Sequence, residues 1–437
     1  MTEIINIFWF RRDLRLNDNR GLYEALKAGR KVLPVFIFDT EILSKLKPDD
    51  KRVLFIHNRI GELNNQLSAF NTCISVYYGT PTDIFSQILR EYRVETVFVN
   101  RDYEPAAIRR DKDIAALISG SGAGFRSFKD QVLFEAGDIL KPDGKPYVVF
   151  TPYSRKWLEK MHHDGIGRYS SESMLPTLIR QDQSQMLSLE KMGFHPGTFR
   201  FPEMSIQENR IAGYADHRNF PGIDLTTRLG LHLRFGTISV RDCITAGKAL
   251  SQAWLNELIW REFFMQILAF YPSVTNRAFK PAYDRIQWSG NENNFQRWCE
   301  GTTGYPLVDA GMRELNQTGF MHNRVRMVVA SFLTKHLLID WRWGEAYFAE
   351  KLLDFELSSN NGNWQWAAGC GCDAAPYFRI FNPTEQMKKF DPEAVYVKRW
   401  VPEYGTSGYP DQMVEHTEAR NRCLKIYSEA LKPGEGG

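Results

Sequence analysis

Four runs of β-branched and aromatic residues occupy positions 4–10, 31–38, 73–78 and 94–100. Between them, residues 19–29, 51–70 and 83–92 repeat apolar side chains at helical spacing. Short apolar runs bounded by turn signals suit buried strands, and a 3.6-residue period suits helices packed on them. Their alternation predicts a parallel sheet with helices on both faces. Neither G-x-G-x-x-G nor G-x-x-x-x-G-K follows the first run, so neither a dinucleotide fingerprint nor a phosphate loop is expected there.

From 131 to 206 the periodicity fades into a stretch rich in Ser, Gly, Pro and isolated Met, which predicts a long connector. Beyond 208 helical spacing takes over at 253–270, 307–318, 324–338, 344–354 and 416–431, punctuated by Gly and Pro. The expected layout is an α/β domain over 1–130, a linker over 131–206, and a larger all-α domain over 207–437. A chain of 437 residues is too long for one core, which agrees with this division.

One stretch obeys neither period. Residues 360–383 read NNGNWQWAAGCGCDAAPYFRIFNP, with Trp364 and Trp366 among Asn and Gly, then Tyr377, Phe378 and Arg379. Aromatics without a repeating period build cores poorly. Aromatic faces beside an Arg suit a flat π-system or an unstacked base. The segment reads as a binding site or as a crowded loop.

Composition adds limits. Hydrophobic content of 43% and charge of 24% are those of an ordinary globular protein, while 11 Trp point to ligand stacking as well as core filling. A net charge of +3 excludes coating nucleic acid by bulk charge, so an anionic partner must meet a local patch. Of six scattered cysteines only Cys370 and Cys372 are close, which completes no metal site and predicts a reduced, cytoplasmic protein. No signal segment and no membrane-spanning run is expected.

Several constellations fall within the helical part. Glu257, Trp260 and Arg261 share one face of the 253–270 helix, as a surface ion pair beside a Trp or as a cavity lining. Asn323, Arg326, Met327 and Ala330 share one side of the next. Arg326 among apolar neighbours needs a carboxylate, and Asp354 or Glu356 could supply it, as a structural clasp or within a site. Arg218, Arg324, Arg379, Lys388 and Lys389 are either solvated charges or a phosphate patch, and YFRIFNP, with Arg among aromatics, favours the patch. Thr226 and Thr227 precede a short helical run, as an N-cap or a phosphate contact.

Long motifs then carry a resemblance: FWFRRDLRLNDN (8–19), WLNELIWREF (254–263), GYPLVDAGMREL (304–315), MHNRVRM (321–327) and residues 354–383. Over nearly its whole length the chain resembles the photolyase/cryptochrome family, most closely the class I cyclobutane pyrimidine dimer (CPD) photolyases. The resemblance implies a Rossmann-like antenna domain, a linker and a helical domain binding FAD and the DNA lesion. Tyr214, Thr226, Thr227, Arg228 and Leu229 would hold the FAD phosphates and adjoining parts. Trp254, Glu257 and Arg261 would line the cavity, Asn323 and Arg326 would approach the flavin with Asp354 pairing Arg326, and Asn360 would face flavin N5.

The implied substrate is a CPD flipped out of UV-damaged DNA. Trp260 and Trp366 would wedge it, Glu257 would hydrogen-bond its bases, Met327 would pack nearby, and Arg218, Arg324 and Arg379 would clamp phosphates. Light-driven electron transfer from reduced FAD (FADH⁻) would split the dimer, and Trp364, Trp341 and Trp288 would photoreduce oxidised flavin. A monomer without a membrane partner is expected. The alternative is a cryptochrome-type photoreceptor without repair, which typically loses the repair-pocket tryptophans present here. A (6-4) photolyase would carry a His-rich motif where this chain has His322-Asn323 and Met327, and a dark-redox flavoprotein would carry a nicotinamide fingerprint.

Some positions depart from the family pattern. Glu356 stands where relatives usually have Asp near the flavin, and Gly230-Leu231-His232 replaces a Ser-Pro-Tyr. Cys370 and Cys372 replace small or hydroxyl residues. Ala106-Ala107 and Thr275-Asn276 replace the Asn-Glu and Cys-Lys of folate binders, so a folate (MTHF) antenna is not expected, while a deazaflavin, a flavin or no second chromophore stay open.

Overall fold

In a computed structural model the described residues are 3–182 and 186–432, so the extreme ends of the expected domains and 183–185 lie outside them. Strands β1 (Ile4–Phe10), β2 (Val32–Asp39), β3 (Ser75–Gly79), β4 (Arg93–Asn100) and β5 (Gly124–Phe128) form one parallel sheet in the order β3-β2-β1-β4-β5. The helices of eight or more residues are α1 (Arg20–Lys27), α2 (Lys51–Leu67), α3 (Pro81–Glu91), α4 (Pro105–Gly120), α5 (Phe150–Asp164), α6 (Val240–Leu250), α7 (Gln252–Phe270), α8 (Glu292–Glu300), α9 (Pro306–Thr318), α10 (Asn323–Ser331), α11 (Trp341–Lys351), α12 (Leu357–Ala368), α13 (Pro383–Phe390) and α14 (His416–Leu431).

Local chemistry explains where elements begin. Asn19, Asp50 and Thr80 cap α1, α2 and α3 by accepting from backbone N–H groups two or three residues on. Ile5, Ile7 and Trp9 turn one face of β1 toward Phe85, Ile88, Ile114 and Ile118 of α3 and α4 in the sheet's core. The sequence pattern anticipated four of the strands. It did not show β5, which is short and contains Gly and Arg, or α4, whose apolar spacing is weak.

The chain forms two compact units whose boundaries do not follow its order. One holds the residues up to Glu135 with Lys160–Ile206 and Arg228–Ala246; the other holds Ala136–Glu159, Gln207–Thr227 and the residues from Gly247 onward. Residues 131–206, expected as a connector, are thus divided and contain α5. Long-range hydrogen bonds explain the difference. In the first unit Ser171 Oγ donates to Leu16 O (2.6 Å) and Ile179 N to Val32 O (2.9 Å). Arg241, expected in the helical domain, pairs there with Asp18 and Asp130 at 2.8 and 2.7 Å. Such bonds are invisible to apolar periodicity.

The second unit is helical, around Trp298, Val325, Val329, Phe348 and Trp364. Here the sequence reading of 360–383 is corrected, because its first part is helix α12. Ser, Asn and Gly give α12 poor intrinsic propensity, and tertiary contacts override it. Asn361 and Gln365 donate from inside the unit to Val274 O at 3.0 and 2.9 Å. At Gly362 a Cβ would stand 2.2 Å from the Phe264 ring, so only Gly lets α12 approach α7 this closely. The expected 324–338 helix also changes form, since α10 stops at Ser331 and continues as a π turn, Phe332–His336, closed by Leu337 N to Phe332 O. Helix α11 begins at Trp341, earlier than the expected 344, because Asp340 caps it by accepting from Arg342 N at 3.0 Å.

Candidate cofactor and lesion site

Helices α10, α11 and α12 and the Asp354–Glu356 turn line an open cavity of about 100 Å³. Asn323, Arg326, Met327 and Ala330 line it from α10, as their helical spacing predicted. Ser359, Asn360, Asn363, Trp364 and Trp366 line it from α12. Forming α12 turns these polar and aromatic residues, one or two turns apart, toward a common space.

Two arginine–carboxylate pairs fix the charge. Arg326 reaches both oxygens of Asp354 at 3.2 and 3.0 Å and donates to Met321 O at 2.7 Å. Asp354, not Glu356, is therefore the partner of Arg326. Glu356 takes Arg261 bidentately, at 2.9 and 3.0 Å, with the two side chains 6% and 10% exposed. Its carboxylate is committed to that guanidinium.

Asn360 is oriented by a residue the sequence did not single out. Its Nδ2 donates to Glu345 O at 3.0 Å and to Glu345 Oε1 at 2.8 Å. A main-chain carbonyl can only accept, so this pairing decides which amide atom is nitrogen. The Glu345 carboxyl is pushed up from the ordinary glutamate range by burial, with the Asn360 hydrogen bond opposing.

Other expected residues gather in groups of their own. Arg218 pairs with Glu257 at 2.8 Å and lies over the Tyr214 ring at 5.2 Å. Burial raises the Glu257 carboxyl above its usual range, and Arg218 pulls it back only in part. Tyr214 is raised by burial and by Glu257. Arg324 donates to Asn219 Oδ1 at 2.6 Å and lies over Phe390 at 4.4 Å. Burial and neighbouring Arg218 lower its pKa. The exposed Arg379 side chain makes no hydrogen bond or ion pair with a protein group among the described residues.

Trp260 does not line the cavity with Trp366. It stacks on Phe150, centroids 3.7 Å apart and planes within 4°. Trp254 is buried, Thr226 accepts through its carbonyl from Arg210 at 2.7 Å, and Thr227 is half-buried. Arg228 and Leu229 belong to the first unit. Trp341 and Trp364 are buried in the helical core, with Trp288 packed against it. Among the described residues these three make no ring contact with one another; Trp364 meets Trp298 at 6.1 Å and Phe348 at 5.0 Å. Sequence reasoning missed Glu345, Phe150, Ser359 and Asn363. Only Asn363, one turn after Asn360, carried a readable signal.

The donor set suits a flat nitrogen heterocycle. Amides of Asn323, Asn360 and Asn363, one guanidinium and two indoles surround the same space. Six cysteines are free and buried, and no group of three or more His, Cys, Asp or Glu able to hold a metal occurs among the described residues.

Comparison with known proteins agrees with this geometry. A model described as the FAD binding domain of DNA photolyase matches residues 254–407, and one described as DNA photolyase matches 6–171. The deoxyribodipyrimidine photo-lyase of Vibrio cholerae is 36% identical over 98% of this chain and 100% of its own. The crystal structure of a bacterial class III photolyase from Agrobacterium tumefaciens superposes with a TM-score of 0.87 at 33% identity, covering 99% of each chain. An archaeal photolyase from Sulfolobus tokodaii, solved with two FAD molecules, gives 0.83 at 33% identity over 97% of this chain and 99% of its own. Near-complete coverage at this identity, over both the sheet and the helical unit, means that the chain belongs to the DNA photolyase family.

Proposed function

We propose that the protein is a light-dependent DNA repair enzyme that splits cyclobutane pyrimidine dimers and works with FAD bound in the α10–α12 cavity. The observation that carries the reading is the meeting, in one cavity, of Asn360 and Arg326 with Met327 and Trp366. The first two suit the polar edge of a flavin, and the last two suit the face of a flipped-out base pair lesion. Reduced FAD, when bound, supplies the electron that light drives into the dimer and takes it back after the ring opens.

This chain's residues supply position and field. With Nδ2 held by Glu345, Asn360 offers Oδ1 toward the flavin's N5 edge. Arg326, held at the cavity wall by Asp354, presents a guanidinium that favours an anionic reduced ring. Burial raises the Glu257 carboxyl, which favours a hydrogen bond from it to the dimer bases as negative charge builds there. Trp366 and Met327 give the flipped dimer an apolar face, and flipping is less costly for a damaged pair. Trp260, in its stack on Phe150, serves as the outer wedge. Arg218, Arg324 and Arg379 hold strand phosphates, while Tyr214, Trp254, Thr226, Thr227, Arg261, Asn323, Asp354 and Glu356 hold the cofactor. Trp364, Trp341 and Trp288 carry electrons inward to oxidised flavin.

The α/β unit serves as the antenna-type domain and the helical unit as the FAD and lesion domain. No helix among the described residues is long and apolar enough to cross a membrane. Free buried cysteines support work in a reducing cytoplasm, and the enzyme acts as a monomer. The deciding experiment supplies reduced protein and thymine-dimer DNA and measures dimers under blue light and in the dark. Loss of dimers only in the light is expected. Dimers retained under light would sink repair and favour the photoreceptor reading.

A further inference from the structure

Lys335 is 1% exposed, sits in the π turn Phe332–His336, and has no role in the cavity. Its Nζ donates to the main-chain carbonyl of Arg379 at 2.8 Å, its one hydrogen bond and without an ion pair among the described residues. Placing an ammonium in a core with a single acceptor is costly. A Met of similar length would fill the space at less cost, so stability does not explain the choice.

The carbonyl it holds belongs to a particular loop. Arg379 N donates to Pro376 O at 2.9 Å, closing a turn whose tip carries Phe378, 60% exposed, and the unpartnered Arg379 guanidinium. Tyr377 anchors the near side by stacking on buried Tyr427 at 5.9 Å and meets Phe378 edge-on at 5.7 Å. Lys335 anchors the far side. The loop is thus pinned at both ends while its cation and its aromatic ring face solvent, an arrangement that suits a nucleic-acid strand.

We propose that Lys335 is a positioning residue for DNA: its buried ammonium clamps the Arg379 carbonyl and holds the Pro376–Arg379 turn in the shape that meets the lesion-bearing strand. The proposal rests on the reading that Arg379 grips a phosphate. The groups that face Lys335 are Cys423 from α14, Cys370 from the segment after α12, and Arg379 itself; Tyr427, Arg422, His336 and Tyr283 surround the same thiols or the lysine. Both thiols are pushed up to about 12 by burial and stay neutral. Burial lowers the lysine to about 8, so the charge that strengthens the clamp is present at neutral pH and is lost above it.

The test uses the FAD-loaded full chain with K335M, R379A and the double variant, and reads the Kd for a thymine-dimer duplex. K335M should weaken binding about tenfold, the loss of one hydrogen bond from a charged donor. In the R379A background K335M should add little further loss, because both act through one turn. FAD content should not change. Trypsin provides a readout free of DNA, since it must engage the carbonyl that Lys335 holds. Cleavage after Arg379, relative to other exposed sites, should quicken in K335M and, in the unmodified protein, between about pH 7 and 9.5. Full additivity with R379A, or no change in either Kd or cleavage, overturns the proposal. If R379A itself leaves Kd unchanged, the phosphate reading falls and takes the proposal with it, whereas a weak R379A beside a silent K335M overturns the proposal alone. Should K335M fail to load FAD, the pH dependence of cleavage in the unmodified protein decides, and a flat ratio overturns the clamp.

Discussion

Asn360 and Glu345 form a two-point contact in which one amide nitrogen donates to the carbonyl and to the carboxyl of the same residue. The contact leaves Asn360 only its Oδ1 for the cavity. Replacing Glu345 by Ala removes the carboxyl bond and keeps the carbonyl one. The expected cost is about 1 kcal/mol of stability, read by urea denaturation, together with faster air oxidation of the reduced cofactor as Asn360 loosens. An oxidation rate equal to that of the unmodified protein would show that the carboxyl does not orient Asn360.

Glu257 gives a pH prediction whose sign follows from its environment. Burial raises its folded pKa, so the folded state binds its proton more tightly than the unfolded state does. Its contribution to stability is therefore full below the unfolded glutamate value of about 4.3 and declines as pH rises through the folded value. E257Q should flatten that part of the stability-versus-pH curve. E257A should lower repair yield more than affinity for dimer DNA, and equal losses in the two would remove its electronic role.

How much of this was readable beforehand differs between the two units. In the α/β unit β1 is a single, nearly unbroken apolar run buried on both faces, so this one segment carried its own signal and was legible to the residue. The Asn323, Arg326, Met327, Ala330 stripe was legible for the same reason, since one helix carries it. Helix α12 was not, because Ser, Asn and Gly hide its period and its stability comes from Val274 O and the Phe264 ring. Glu345 was unreadable too: its role depends on α11 lying beside α12, a relationship absent from either segment alone. The roles proposed for Asn360 and Trp364 come from the family resemblance, since no periodicity could have suggested them.

Gly344 sets the packing of Trp364, the proposed innermost tryptophan of the electron route. A Cβ there would stand 2.1 Å from the Trp364 ring and 2.6 Å from Leu333. Gly344→Ala should cost about 1–3 kcal/mol through overpacking and slow light-driven reduction of oxidised FAD. Trp364→Phe should block that reduction and leave repair by chemically reduced enzyme intact. Undiminished photoreduction in Trp364→Phe would place the route elsewhere.

The Arg261–Glu356 pair is nearly sealed from water, so breaking it strands a buried charge. Glu356→Gln should destabilise the helical unit by about 3–5 kcal/mol, seen as a lower midpoint in denaturant, and should reduce FAD retained on purification. A drop below about 1 kcal/mol would mean that water or a neighbour compensates Arg261 in solution.

Salt dependence can separate the proposed phosphate-binding arginines from one another. Each phosphate neutralised on duplex DNA contributes about −0.9 to the slope of log K against log salt concentration. Arg379, exposed and without a protein partner, should contribute fully, so R379A should make the slope shallower by about one unit. Arg218 already faces Glu257 at 2.8 Å, and its removal also frees that carboxylate. R218A should therefore make the slope shallower by less than R379A does, because Glu257 already offsets part of the Arg218 charge. Arg324 lies between these cases, since Asn219 and Phe390 orient it without neutralising it. Titrations of dimer-containing duplex across a salt series should rank the slope changes Arg379, then Arg324, then Arg218. The reverse order would mean that Arg218 leaves Glu257 when DNA binds.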